Sequence, residues 1–132
     1  MRLTDISAEF IARRQPSGLF LGDGEVLACA VAAVRLYAGW ACLSDPIAAV
    51  DRESIDGETD ISPGEWGVIG PLFALFVERE TALIHEASQV VGSTSVGRSS
   101  GEVASDIQVY EQQLPKLAYV EPVFSIGLDL EA

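Results

Sequence analysis

The chain has 132 residues, of which 48% are hydrophobic and 21% are charged, and this composition predicts one folded domain rather than a disordered chain. Its 20 acidic and 8 basic residues give a net charge of -12 at pH 7. The basic residues form no cluster beyond Arg13 and Arg14. Such an acidic surface disfavours DNA, RNA and anionic lipid as partners.

A short amphipathic helix is predicted over residues 4–14. Ile6, Phe10 and Ile11 recur at helical spacing and share one face. Pro16 follows, and the residue before a proline disfavours helical geometry. The helix is therefore expected to stop before it.

A long apolar helix is predicted next, from Asp23 as N-cap to about Cys42. The apolar run over 26–43 is almost long enough to span a membrane, but Arg35 interrupts it and no basic cluster flanks it. We therefore expect a core helix. On one helix, Cys29 and Cys42 would lie about 20 Å apart, too far for a disulfide. A disulfide across a break in that helix is the alternative. Two free thiols fit a reducing cytoplasm.

Residues 45–61 form an acidic segment, with five acids from Asp51 onward, and are predicted to be an exposed loop with room for a helical turn at 47–50. A calcium loop does not fit. With Gly57 at the sixth position, Arg52 would take the first ligand position and Pro63 the twelfth.

A capping box of Ser62 and Glu65 begins the next helix, with Pro63 at its first position. The helix is expected to reach about Val91 and to kink near Pro71. An apolar seam runs along it, formed by Ile69, Leu72, Phe73, Phe76, Leu83, Ala87 and Val90.

Two charged residues, Arg79 and Glu86, fall on that same seam. A buried arginine needs a partner, so Arg79 is expected to pair with an acid at a helix–helix or subunit contact. Trp40 and Trp66 are predicted to anchor the core near helix ends.

A second capping box, Ser99 with Glu102, predicts a helix over about 100–114 that Pro115 ends. Its apolar face carries Val103, Ile107, Tyr110 and Leu114.

The last segment, 118–132, changes period. Phe124, Ile126, Leu128 and Leu130 alternate with polar residues, which predicts a half-buried strand or extended arm. No second strand of similar length is evident, so its partner is expected to be another chain, with the short stretch 19–21 as the intramolecular alternative.

The loop GSTSVGRS at 92–99 is close to a phosphate-binding motif, but it follows a helix rather than a strand and has Arg98 in place of lysine. It is interpreted as a connector between helices. His85 is the only histidine, which argues against histidine-rich metal sites. A carboxylate metal site would have to combine acids of two helices, namely Glu78, Glu80 and Glu86 with Glu102, Asp106 and Glu111. We predict no catalytic residue, no metal site and no cofactor.

The run SPGEWGVIGPLFALFVERETALIHEAS, the G-x-x-x-x-GRS loop and the run GEVASDIQVYEQQLP together resemble the small head–tail connector (adaptor or neck) proteins of tailed bacteriophages. The resemblance covers residues 62–114. It implies a mainly helical, non-enzymatic virion protein, made in the host cytoplasm and located in the virion neck. Its copies would form a dodecameric ring under the portal protein and contact a tail or stopper protein. Acidic residues facing the channel would let DNA pass without specific binding.

The predicted fold is a mainly α small bundle of about four helices, one of them long, over residues 1–117, followed by the arm 118–132. The candidate subunit or partner interface consists of Arg79, Arg98 and the arm residues Phe124, Ile126, Leu128 and Leu130. An alternative function is a small acidic inhibitor that mimics DNA and binds a basic partner. Its only support is the net charge.

Overall fold

A computed structural model describes residues 1–14, 21–88 and 99–118. These residues form five α-helices and a 3-10 helix, in the order α1 (Leu3–Arg14), α2 (Asp23–Ala38), α3 (Pro46–Val50), the 3-10 helix (Arg52–Ser54), α4 (Pro63–Ser88) and α5 (Ser100–Ala118). The predicted mainly helical class, with one long helix, is confirmed. The predicted strand and the residues Phe124, Ile126, Leu128 and Leu130 lie outside the described residues, as does Arg98.

The core forms where α4 contacts both α2 and α5 and where α1 contacts α2. Its most deeply buried residues come from all four long helices and from the segment before α4. Those with no exposed surface are Leu3, Val26, Ala30, Ala33, Val34, Ile61, Ile69, Leu72, Val103 and Leu114. The alanines of α2 leave room for a close approach of its neighbours, while they keep its helix propensity high.

Helix α2 differs from its prediction at both ends. Its N-cap is Gly22 rather than Asp23, and the Glu25 carboxylate accepts a hydrogen bond from the Gly22 N–H at 3.0 Å. It ends at Ala38 rather than near Cys42, because Gly39 is a poor helix former and the chain turns there. Both cysteines are free, and Cys42 lies in the connection beyond the helix.

No helix of the described residues is long and apolar enough to cross a membrane. Arg35, which interrupts the apolar run of α2, is used structurally. Its guanidinium donates to the carbonyl of Ile55 at 3.2 Å and so ties α2 to the acidic segment. Trp40, expected to be a core anchor, is 56% exposed because it follows the early end of α2. Trp66 packs on Phe73 with ring centroids 5.4 Å apart.

The acidic segment is only partly the exposed loop that its composition predicts. The expected helical turn forms α3, but Ile55, Thr59 and Ile61 are buried. The segment pairs with the start of the chain through three backbone hydrogen bonds: Leu3 N to Thr59 O, Thr4 N to Gly57 O, and Ile61 N to Met1 O. An isolated antiparallel bridge joins Arg2 and Asp60 at the same place. The segment is therefore part of the fold.

Both predicted capping boxes are confirmed. Ser62 N–H donates to Glu65 at 2.9 Å and Glu65 N–H donates to Ser62 Oγ at 3.2 Å. At the start of α5, Glu102 N–H donates to Ser99 Oγ at 3.2 Å, and the Ser99 N–H donates back to the Glu102 carboxylate at 3.5 Å.

The two prolines within helices do not end them. Helix α4 is continuous through Pro71, and α5 continues through Pro115 to Ala118, so the prediction that Pro115 ends α5 is wrong. The physical reason is packing on both sides of the proline. Leu114 has no exposed surface and Ala118 is 8% exposed, so this last turn is held against the core despite the missing N–H donor.

Candidate interaction site

Arg79, a predicted interface residue within the described part of the chain, lies in an open groove between α2 and α4. The lining comprises Glu25, Ala28, Cys29, Ala32, Phe76, Arg79 and Glu80. The groove has a volume of about 230 Å³. The α2 wall combines three short side chains with the carboxylate of Glu25, and the α4 wall carries an aromatic ring and two charges. A surface with this combination can accept a protruding side chain or a second helix.

The guanidinium of Arg79 stacks over the ring of Phe76, with its central carbon 5.0 Å from the ring centroid. Such cation–π contacts hold an arginine over an apolar surface while its N–H donors stay available. The ion pairs among the described residues involve the Met1 amine, Arg2 and Arg13, and none involves Arg79. Arg79 is predicted to pair with an acid either of a neighbouring helix or of another subunit. Within the described part of the chain, no acid of a neighbouring helix forms an ion pair with it. A partner on another subunit stays a prediction.

Cys29 lies at the base of the same groove and is 7% exposed. Burial, and to a lesser extent the negative charge of Glu80, raises the pKa of its thiol to about 11. The thiol is therefore protonated at neutral pH and is a small apolar contact there.

The acidic side chains considered for a metal site are used differently. Among the described residues, no group of three or more His, Cys, Asp or Glu side chains could hold a metal ion. Glu80 lines the groove next to α2, whereas Glu86 binds the beginning of α5. The two residues therefore serve different contacts of α4.

Two glutamates of α4 have roles that sequence reasoning partly missed. Glu65 accepts from both the N–H and the Oγ of Ser44, at 2.8 and 2.9 Å, in addition to its capping box. Glu86 accepts from both the N–H and the Oγ of Ser100. The capping signature revealed Glu65 as a local cap only, and no local signal links Glu86 to a serine of the next helix.

In comparisons with known proteins, no family model matches the chain, and no curated protein or solved structure matches it. The resemblance of residues 62–114 to phage connectors therefore stays a prediction.

Proposed function

We propose that the protein is a structural, non-enzymatic subunit of a head–tail connector ring in a tailed-bacteriophage virion, where it joins the portal protein to the tail. The observation that carries the proposal is the α4–α5 pair. The two runs that resemble connector proteins form these two helices, which pack on each other. Glu86, within the HEAS run, binds Ser100 directly before the GEVASDIQVY run.

The Arg79 groove is the proposed contact between neighbouring subunits. Ala28 and Ala32 leave space beside Arg79, whose guanidinium is already positioned by Phe76. A carboxylate of the next subunit would find both a charge partner and an open approach. Because the chain carries a net charge of -12, complementary acids are abundant on every copy.

The net charge also suits a channel for DNA. A ring of subunits with acidic residues on its inner wall repels phosphates, so DNA would pass without binding to specific residues. In this proposal the arm over 118–132 pairs with a neighbouring subunit or the portal by adding a strand to it.

The test combines native mass spectrometry, negative-stain electron microscopy and hydrogen exchange over residues 118–132, each at low and high protein concentration. We expect a monomer whose arm exchanges freely when dilute, and a ring whose arm is protected when concentrated. Phe124→Asp combined with Ile126→Asp is expected to abolish the ring and leave the helical fold unchanged. A chain that stays monomeric at every concentration, with a protected arm, would contradict the proposal.

Arg79→Ala tests the groove separately, and Arg14→Ala is its matched control. Arg14 also lies over a phenylalanine ring, with its central carbon 5.2 Å from the centroid of Phe10, but outside the groove. Both variants lose one arginine and one cation–π contact. We expect only Arg79→Ala to weaken ring formation. Equal behaviour of the two variants would remove the groove from the proposed interface.

A further inference from the structure

A second open surface lies between α1 and α2, away from the Arg79 groove. Its α1 side is formed by Thr4, Ser7, Ala8 and Ile11, and its α2 side includes Asp23 and Leu27. The volume of this cleft is about 410 Å³. That size falls within the range of roughly 300–1,000 Å³ that is typical of pockets for small molecules.

Ser7 is the unusual residue of this cleft. It is 4% exposed. Among the buried side-chain oxygen and nitrogen atoms of the described residues, its Oγ is the one that has no hydrogen-bond partner. Positions 4, 7, 8 and 11 share one face of α1, and Ser7 lines the cleft, although its Oγ is itself buried. Rotation about the Cα–Cβ bond would bring the hydroxyl within reach of a molecule in the cleft. Buried hydroxyls almost always have partners, since leaving one unsatisfied is costly. A molecule bound in the cleft would supply such a partner.

The other residues of the cleft define what that molecule can be. Ala8, Ile11 and Leu27 offer apolar surface, which favours an apolar body and penalises a buried charge. The exposed carboxylate of Asp23 and the net charge of -12 disfavour anions. The hydroxyl of Ser7 can donate or accept a hydrogen bond, so it suits a neutral oxygen function.

We propose that the cleft between α1 and α2 binds a small neutral molecule with an apolar body, whose carbonyl or hydroxyl oxygen hydrogen-bonds to Ser7 Oγ. This site is separate from the proposed ring contact and does not depend on the connector function. Its apolar walls supply the binding free energy and Ser7 supplies the orientation.

Two probe molecules of nearly equal shape test the proposal. Acetophenone has a carbonyl where α-methylstyrene has a methylene group, so the pair differs in the one group that Ser7 would recognise. Amide chemical shifts of the full chain would be followed by NMR during titration with each probe. We expect shifts centred on Ser7, Ala8 and Leu27, with affinity in the millimolar range for ligands of this size.

Ser7→Ala is expected to lower the affinity for acetophenone about tenfold, since one hydrogen bond is lost. The affinity for α-methylstyrene is expected to change by no more than about twofold. Ala8→Phe fills the cleft and is expected to abolish binding of both probes. Ala12→Phe, at an exposed position of the same helix, is the matched control that should retain binding.

Three outcomes would overturn the proposal. The first is that acetophenone does not shift the amide resonances of the cleft. The second is that Ser7→Ala weakens the binding of both probes equally. The third is that Ala8→Phe leaves the binding of the probes intact. Unchanged amide spectra outside α1 in Ser7→Ala establish that the variant is folded, so that its loss of binding reports on the hydroxyl alone.

Discussion

The carboxylate of Glu86 accepts two hydrogen bonds from Ser100, one from its backbone N–H and one from its Oγ, both at 2.7 Å. Near the start of the same helix, Glu65 makes the same two contacts with Ser44. Helix α4 thus holds a neighbouring segment at each end through one glutamate that binds one serine. Glu65 holds the chain that follows α2, and Glu86 holds the beginning of α5. These contacts fix the neighbours of the helix that carries Arg79.

The Glu86 contact predicts a pH-dependent stability. The hydrogen bond from the Ser100 N–H, followed by that from its hydroxyl, lowers the pKa of the Glu86 carboxyl. A carboxyl whose pKa is lower in the folded state stabilises the fold above its unfolded pKa, and this stabilisation is lost as the pH falls through the folded pKa. We expect Glu86→Gln to lower the urea midpoint at pH 7, and the deficit to shrink below about pH 4.

Glu53→Gln is the control for that experiment, since it removes the same charge from an exposed position in the 3-10 helix. Urea unfolding of the wild type and both variants at pH 7, 5 and 3 would be compared. A deficit of Glu86→Gln that equals that of Glu53→Gln, or that persists unchanged in acid, would show that the contact with Ser100 contributes nothing.

Glu65 predicts a larger loss, because it is only 8% exposed and serves two segments at once. Glu65→Ala would leave the N–H groups of Ser44 and Ser62 and the Ser44 hydroxyl without their acceptor. We expect a decrease of about 2–4 kcal/mol in the free energy of unfolding, measured in urea. Glu65→Gln keeps one acceptor oxygen and should lose less. Equal losses in both variants would mean that the carboxylate is not acting as the shared acceptor.

The sequence predicted those contacts whose partners are close in the chain. Ser62 with Glu65 and Ser99 with Glu102 are separated by three residues, so the capping geometry is contained in the local pattern. The bond from the Tyr110 hydroxyl to the carbonyl of Val68 joins different helices. Nothing in either local stretch indicates it, because it depends on how α5 is placed against α4.

The ends of α2 and α5 also show how far a local sequence pattern can predict the structure. Gly39 ends α2 within an apolar run that continues to Leu43, whereas Pro115 does not end α5. The low helix propensity of Gly39 ends α2, whereas at Pro115 packing against the core decides the outcome. Leu43, after the turn, is 4% exposed, and Ala118, after the proline, is 8% exposed. At Pro115 tertiary packing therefore overrides the local signal, and composition alone does not reveal it.

The two candidate sites were predictable to different degrees. Arg79 interrupts an apolar seam, and this irregularity in the sequence predicts it as an interface residue. The alanines that open the groove beside it come from α2, whose position opposite Arg79 is a property of the fold. Ser7 gave no signal, because a serine in an amphipathic helix is ordinarily exposed to solvent.

Gly57 is predicted to be required where the acidic segment meets α1. A Cβ at this position would lie 2.6 Å from Thr4 Oγ1 and 3.3 Å from Leu27 Cδ2. We expect Gly57→Ala to destabilise the fold by about 1–3 kcal/mol, because the segment must move away from α1. Gly67→Ala is the matched control: nothing lies within 4 Å of its Cβ in α4, and a gain of about 0.5–1 kcal/mol is expected. Similar effects of both changes would contradict the close contact.

The two thiols should differ in reactivity. Cys42 is exposed, whereas Cys29 is buried in the groove that Phe76 and Arg79 also line, and its pKa is raised to about 11, mainly by burial. Because only thiolates alkylate rapidly, the thiolate fraction of Cys29 at pH 8 should be at least about 100-fold lower than that of an ordinary cysteine. Iodoacetamide labelling, followed by mass spectrometry, should modify Cys42 first and Cys29 only slowly.

The variants Cys42→Ser and Cys29→Ser separate the two reactions. Native Cys42→Ser should remain almost unlabelled, while native Cys29→Ser should label at the rate of the fast phase. In urea the burial of Cys29 is lost, and both variants should then label at similar rates. Rapid labelling of native Cys42→Ser would mean that the groove opens readily at Cys29. The packing of α2 against α4 around Arg79 would then be looser than the burial of Cys29 indicates.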